Sequence, residues 1–313
     1  MSNNTLENIL DNFFKEFDSE FQIYYIIREY DKVEKDYIYD SFYCNMPNEL
    51  KKSLIKDYRE SIDKYKNIVI NDFDVIGSEA DCIEKLDTKN IDTMSKFIKL
   101  TNNIHSKKAS EIDVDINKIW GYAIVFKNNN DEKMTLFRKY SISKSINENR
   151  KLSFLNGNIE EVNKEIFSLD LKIDAIEIND ITYIISKYYF ELFFSFKEEY
   201  VKYVNESLED LKNEDVIENF DEFSLRCLDS GNLVRKLVYV VQNDRLKWLK
   251  NNIKSAKEVV DEYGLKVKVE DNKINYSNKQ CNISDVMKLI CGCCVKDAVD
   301  MRKYFATSVK AVS

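Results

Sequence analysis

Between Gly231 and Lys257 the chain carries Arg235, Lys236, Arg245, Lys247, Lys250, Lys254 and Lys257 against a single acid, Asp244. Lys247, Lys250, Lys254 and Lys257 are spaced three, four and three residues apart, which on a helix makes one stripe. Leu246, Leu249, Ile253, Ala256 and Val260 form the neighbouring apolar stripe. A helix docked by that apolar stripe presents a row of ammonium groups that can follow phosphates. Arg245 opens the same helix. Trp248 lies off both stripes, where an indole can stack on an unpaired base or pack against a neighbouring domain or subunit. Arg245, Lys247, Trp248, Lys250, Lys254 and Lys257 are therefore the candidate nucleic-acid-binding residues. An ordinary solvated lysine face is the plainer reading of the same stripe.

Other constellations point less sharply. A second basic stretch holds Lys133, Arg138, Lys139, Lys144, Arg150 and Lys151 against Glu132 and Glu148, on strands and turns that could extend a groove or form a plain sheet surface. Lys197–Glu222 is strongly acidic, which suggests self-association between opposite faces, a region kept off DNA, or a solvated helix face. Asp170-Leu-Lys172 has the Asp-x-Lys form of a metal-dependent nuclease strand, with Asp174 and Glu177 nearby and Glu160 or Glu161 as a further acid. Alternation along the same strand explains Asp170, Lys172 and Asp174 as its solvent face. Cys281, Cys291, Cys293 and Cys294 lack the paired Cys-x-x-Cys knuckles of a zinc ribbon, so core packing is expected and no metal site. The single histidine, His105, sits in a polar stretch and is expected at the surface, with no catalytic partner beside it. No catalytic residue and no cofactor is expected.

The elements that would position these residues follow from periodicity. A first helix runs through Leu6, Ile9, Leu10, Phe13 and Phe17. Phe21–Tyr30 reads as a buried strand with Tyr37–Tyr43 as its hairpin partner. A helix follows Pro47 through Leu50, Leu54, Tyr58, Ile62 and Tyr65. Trp120–Phe126, Met134–Tyr140, Leu152–Leu155, Leu169–Ala175 and Ile181–Ile185 read as strands, and several in succession imply an antiparallel sheet. Beyond Tyr188 one helical face runs from Phe190 to Leu211. Helices Phe223–Leu228, Leu233–Val241 and Arg245–Tyr263 come next, the last ended by Gly264. A short hairpin over Leu265–Glu270 and Ile274–Tyr276 precedes a helix at Ile283–Cys291. The fold class is α+β: a mixed α/β N-terminal region with an antiparallel sheet over 1–186, then a mainly helical region with a short hairpin over 187–313.

Composition bounds the function. The 313 residues carry 47 Lys+Arg against 55 Asp+Glu, a net charge of −8. An acidic total disfavours a chain that coats nucleic acid all over, but it permits a local basic face. Six glycines and one proline leave little room for a phosphate-cradling glycine loop. The first 14 residues contain no Lys or Arg, so no secretory leader is expected. Apolar runs fall well short of the ~20 residues of a membrane span. Seven cysteines without a secretory leader suit a reduced, cytoplasmic protein.

One stretch carries a resemblance. A strand runs into a Phe-Glu-x-Phe-Phe-x-Phe helix over Ile181–Tyr200, ITYIISKYYFELFFSFKEEY. With the aromatic opening strand and the closing Met301–Lys310, MRKYFATSVK, it resembles the bacterial Kiwa KwaB-like family, a domain family of unknown function, over about residues 21–312. The resemblance implies anti-phage defence, association with DNA, and a small membrane protein of the KwaA type as partner, which would recruit the chain to the inner face of the membrane. Members also occur without that partner. Ala306-Thr307-Ser308 lacks the glycine of the family's Leu-Thr-Gly-like turn, so no residue role is transferred there.

The expected function is non-enzymatic DNA binding in phage defence, centred on the Arg245–Lys257 segment, with a homo-oligomer as a further expectation. The alternatives are a metal-dependent nuclease using Asp170, Lys172 and Glu177, and a protein–protein adaptor that makes no nucleic-acid contact.

Overall fold

The computed structural model describes residues 5–15, 17, 20–33, 36–75, 81–102, 106–111, 113, 115–140, 152–155, 158–161, 169–277 and 279–306. His105, Lys144, Glu148, Arg150, Lys151, Thr307 and Ser308 lie outside them, as do the side chains of Glu160 and Glu161. The fold is α+β. The chain divides into two compact units, one of residues 1–73 and 80–194, the other of 74–79 and 195–313.

In chain order the first unit contains α1 (Glu7–Lys15), β1 (Glu20–Asp31), β2 (Asp36–Tyr43), α2 (Asn48–Asp63), β3 (Val69–Asp72), β4 (Cys82–Asp87), α3 (Asp92–Lys99) and β5 (Lys107–Lys108). It continues through β6 (Ile119–Lys127), β7 (Lys133–Lys139), β8 (Leu152–Leu155), β9 (Asn158–Glu161), β10 (Ala175–Ile178), β11 (Ile181–Ile184) and α4 (Lys187–Phe193). Nine strands form one sheet in the order β3-β4-β11-β10-β7-β6-β1-β2-β5, while β8 and β9 pair separately. The central pairings are antiparallel; β3 joins β4, and β5 joins β2, in parallel. Pro47 sits at the N-cap of α2, where its missing N–H costs nothing.

Period two sorts the sheet residues onto two faces. On one face Phe21, Ile23, Tyr122, Ile124, Phe126 and Leu136 join Leu6, Leu10, Phe13, Tyr58 and Ile62 of the first two helical segments in a single buried cluster. On the other, Phe137 meets Phe193 and Phe194, and Phe97 of α3 packs its ring at an angle against the same pair. Gly121 permits this second contact. A Cβ there would overlap the Phe193 ring and lie 2.6 Å from the Arg138 carbonyl oxygen.

The second unit contains α5 (Phe196–Asn213), β12 (Ile217–Glu218), α6 (Phe220–Leu228), α7 (Gly231–Gln242), α8 (Arg245–Asn251) and α9 (Ile253–Tyr263). After these come β13 (Val269–Glu270), β14 (Lys273–Asn275), α10 (Ile283–Cys291), β15 (Cys294–Lys296) and β16 (Lys303–Phe305). Its core gathers Val204, Phe223, Val234, Leu237, Leu246, Leu249, Ile274, Tyr276, Val286 and Ile290, all buried. Cys281, Cys291 and Cys293 are buried too, and burial pushes the Cys291 thiol up to about 12.

Three expectations are corrected. The helical face from Phe190 to Leu211 is two helices, because Ser195 adopts a left-handed conformation with φ 54° between α4 and α5. The expected Arg245–Tyr263 helix is also two, broken at Asn252, where φ is −124° and ψ 22°. Gly264, at φ 62°, does end the second one. Leu169–Ile173 is not a strand, and Asp174 is buried rather than solvent-facing.

Candidate nucleic-acid interface

The lysine face is built from α8 and α9. Leu246 and Leu249 on α8, and Ile253, Ala256 and Val260 on α9, are buried and fix both helices to the second unit. The next positions round each helix, Lys247, Lys250, Lys254 and Lys257, are all exposed. The stripe is therefore present but divided into two pairs by Asn252, whose Nδ2 donates to the Trp248 carbonyl at 2.8 Å. Lys247 and Lys254 have no ion pair among the described residues. Lys250 reaches Glu214 at 3.6 Å, and Lys257 contributes, with Lys268, to the field that lowers the Glu270 pKa.

Arg245 takes a different place from the lysines. Its Nε donates to the Ile290 carbonyl at 2.9 Å, and its guanidinium lies 4.4 Å from the centre of the Trp248 ring. Arg245 is half-buried, and these two contacts hold its guanidinium beside Trp248. Trp248 remains about half exposed.

The second basic stretch does not form a groove among its described residues. Arg138 turns inward to a polar centre in the first unit. Its Nε and Nη2 donate to the two oxygens of Asp170 at 2.9 and 2.7 Å, and its Nη1 donates to Asp174 at 2.8 Å. The Lys139 backbone N–H takes the other Asp174 oxygen at 2.7 Å. The hydroxyls of Tyr58 and Tyr122 both donate to the Asp170 carbonyl, at 2.8 and 2.9 Å. Burial opposes the Asp170 carboxylate, but the hydrogen bonds and charge of Arg138 outweigh it and hold its pKa below the ordinary range. Asp174 is buried more deeply, and there burial wins and raises the pKa.

This geometry bears on the nuclease alternative. Both Asp170 oxygens are engaged by Arg138, Lys172 is exposed in a non-strand segment, and burial pushes the Glu177 carboxyl up to about 7. Among the described residues no three His, Cys, Asp or Glu side chains gather as a metal-holding group. A 32-residue separation between Arg138 and Asp170 hid this centre from a reading of local patterns.

Over residues 116–291 the chain matches the family described as Kiwa protein KwaB-like. It belongs to that family. The family match covers more than half the chain, from the approach to β6 through α10, and so takes in Arg138, Asp170, Asp174 and the lysine face, though not Tyr58. It is shorter than the expected span of about 21–312, leaving out β1–β5 and the β15–β16 hairpin of this KwaB-like chain. No curated protein and no solved structure matches the chain. Among the described residues no helix is long and apolar enough to cross a membrane.

Proposed function

We propose that the chain acts in Kiwa-type anti-phage defence by binding DNA without cutting it, through the lysine face of α8 and α9. Family membership supports the defence role. The observation that carries the binding role is the exposure of Lys247, Lys250, Lys254 and Lys257 on two consecutive helices whose opposite sides are buried. Ammonium groups held on a docked surface release counterions when they meet phosphates, and such contacts read charge, not sequence.

A small membrane protein of the KwaA type fits this role as a partner that would hold the chain at the inner face of the membrane. The acidic stretch Lys197–Glu222 and the basic face of α8–α9 also favour self-association by opposite charge. The test is a titration with duplex and single-stranded DNA at two salt concentrations, followed by incubation with Mg²⁺. Binding that weakens with salt and leaves the DNA intact is the expected result. Cleavage would transfer the role to a nuclease, and no binding at low salt would favour a protein–protein adaptor.

A further inference from the structure

Phosphate contacts by lysines leave Trp248 without a task. On α8 and α9 the apolar positions Leu246, Leu249, Ile253, Ala256 and Val260 are buried. Among the described residues Trp248 is the one large apolar side chain of either helix that is exposed, at 48%. An indole left in water forgoes the free energy its apolar area would gain on burial, and a wet aromatic on a docked helix is of use where something flat can cover it.

The ring is held from one side. Arg245 and Trp248 are three residues apart and are therefore neighbours on the surface of α8. The guanidinium lies over the indole, 4.4 Å from its centre, which is a cation–π contact. Arg245 is itself pinned, because its Nε donates to the Ile290 carbonyl at 2.9 Å. That carbonyl belongs to the last turn of α10, where a helix leaves its C=O groups without internal partners and favours a cation. Gly292, at φ 73°, makes room for the guanidinium, since a Cβ there would stand 2.9 Å from Arg245 Nη2. The platform is thus fixed by α10 before any ligand arrives.

The other side of the ring is open. A flat ring has two faces and a thin edge. With one face under Arg245, an exposure of 48% cannot come from the edge alone. The surroundings are cationic as well. α8 itself carries Arg245, Lys247 and Lys250 and no acid. Lys247, the residue before Trp248, is exposed and has no ion pair among the described residues. The two terminal nitrogens of Arg245 have no acceptor there either.

We infer that Trp248 is a stacking platform for an unpaired base, which gives single-stranded DNA a contact on this face that duplex DNA cannot use. The inference rests on reading α8 and α9 as the DNA-binding surface. Every base has a π-face that an indole can cover, so the contact adds affinity without reading sequence. In a duplex both faces of each base are already covered by its neighbours in the stack. The ammonium of Lys247 stands beside the ring to meet the phosphate of the stacked nucleotide. A protein partner would also cover an exposed indole, but the uncompensated cations around this one match a polyanion.

The test compares ligands that differ only in their bases. A short oligothymidylate and an abasic strand of the same length carry the same phosphates. The wild type should bind the oligothymidylate more tightly than the abasic strand. W248A should lose roughly 5- to 150-fold on the oligothymidylate and should bind the abasic strand and a duplex as the wild type does. W248F, which keeps a ring, should fall between the two. If W248A loses the wild-type circular dichroism, W248L takes its place, apolar but without a ring. An unchanged affinity for oligothymidylate would overturn the platform, leave the lysine face standing and return the ring to a protein contact. Equal weakening on all three ligands would also overturn it, by making Trp248 a support of the face. If the wild type binds none of the three, the lysine-face reading fails and the platform falls with it.

Discussion

Arg138 holds Asp170 through two parallel hydrogen bonds, at 2.9 and 2.7 Å, and reaches Asp174 with its remaining terminal nitrogen. The guanidinium joins β7 to the chain segment that leads into β10, so a charge network stands where a strand with a polar face was expected. Removing the cation strands two carboxylates, one of them buried. Arg138→Met should therefore cost about 3–5 kcal/mol in urea unfolding. Asp170→Ala, which leaves Asp174 to Arg138, should cost roughly 1.5–3 kcal/mol. An Asp170→Ala protein with an unchanged urea midpoint would return Asp170 to a solvated position.

Glu177 should make stability pH-dependent. Its carboxyl is raised by burial to about 7 from an ordinary 4.5, so the native state binds the extra proton between those values. Its stabilising contribution is complete below the unfolded pKa and is lost as pH rises through the folded one. At pH 8 the charged form is opposed by about 3 kcal/mol. Glu177→Gln should stabilise the protein at pH 8, change little at pH 4, and flatten the profile between. A parallel pair of profiles would contradict this account of Glu177.

Gly121→Ala should be among the more damaging single changes. The added methyl has no room between the Phe193 ring and the Arg138 carbonyl, and overpacking of this kind costs about 1–3 kcal/mol or more. Thermal denaturation checks it; an unchanged Tm would mean that α4 shifts freely against β6.

The cysteines should react unequally. Burial raises the thiols of Cys227 and Cys291 to about 12, so few thiolates form there at pH 8. Native alkylation followed by peptide mass spectrometry should find both protected, with Cys44, Cys82 and Cys294, only partly buried, modified first. Rapid modification of Cys291 would contradict its place in the core.

Much of the fold was legible where hydrophobic period and local punctuation agree. The aromatic opening hairpin, the β6–β7 pair and Ile283–Cys291 each carry their period within one segment. The breaks at Ser195 and Asn252 were not, because apolar spacing continues across both and the interruption lies in the φ and ψ of one residue. Leu169–Ala175 misled for a deeper reason. Its alternation is real, but Asp174 is buried beside Arg138, a partner 36 positions away that no local pattern announces. The lysine positions were readable from spacing alone, whereas the inward turn of Arg245 depends on the Ile290 carbonyl across the second unit.

The most direct test of DNA binding through α8 and α9 is the slope of log K against log salt for duplex DNA, compared between the wild type and a variant with Lys247, Lys250, Lys254 and Lys257 all changed to Gln. Glutamine keeps good helix formers in place and leaves the buried stripe untouched, so the Tm should hardly move. The account predicts weaker binding to every duplex sequence and a slope smaller by ~0.9 for each lysine that meets a phosphate. A folded variant with the same affinity and the same slope would contradict it.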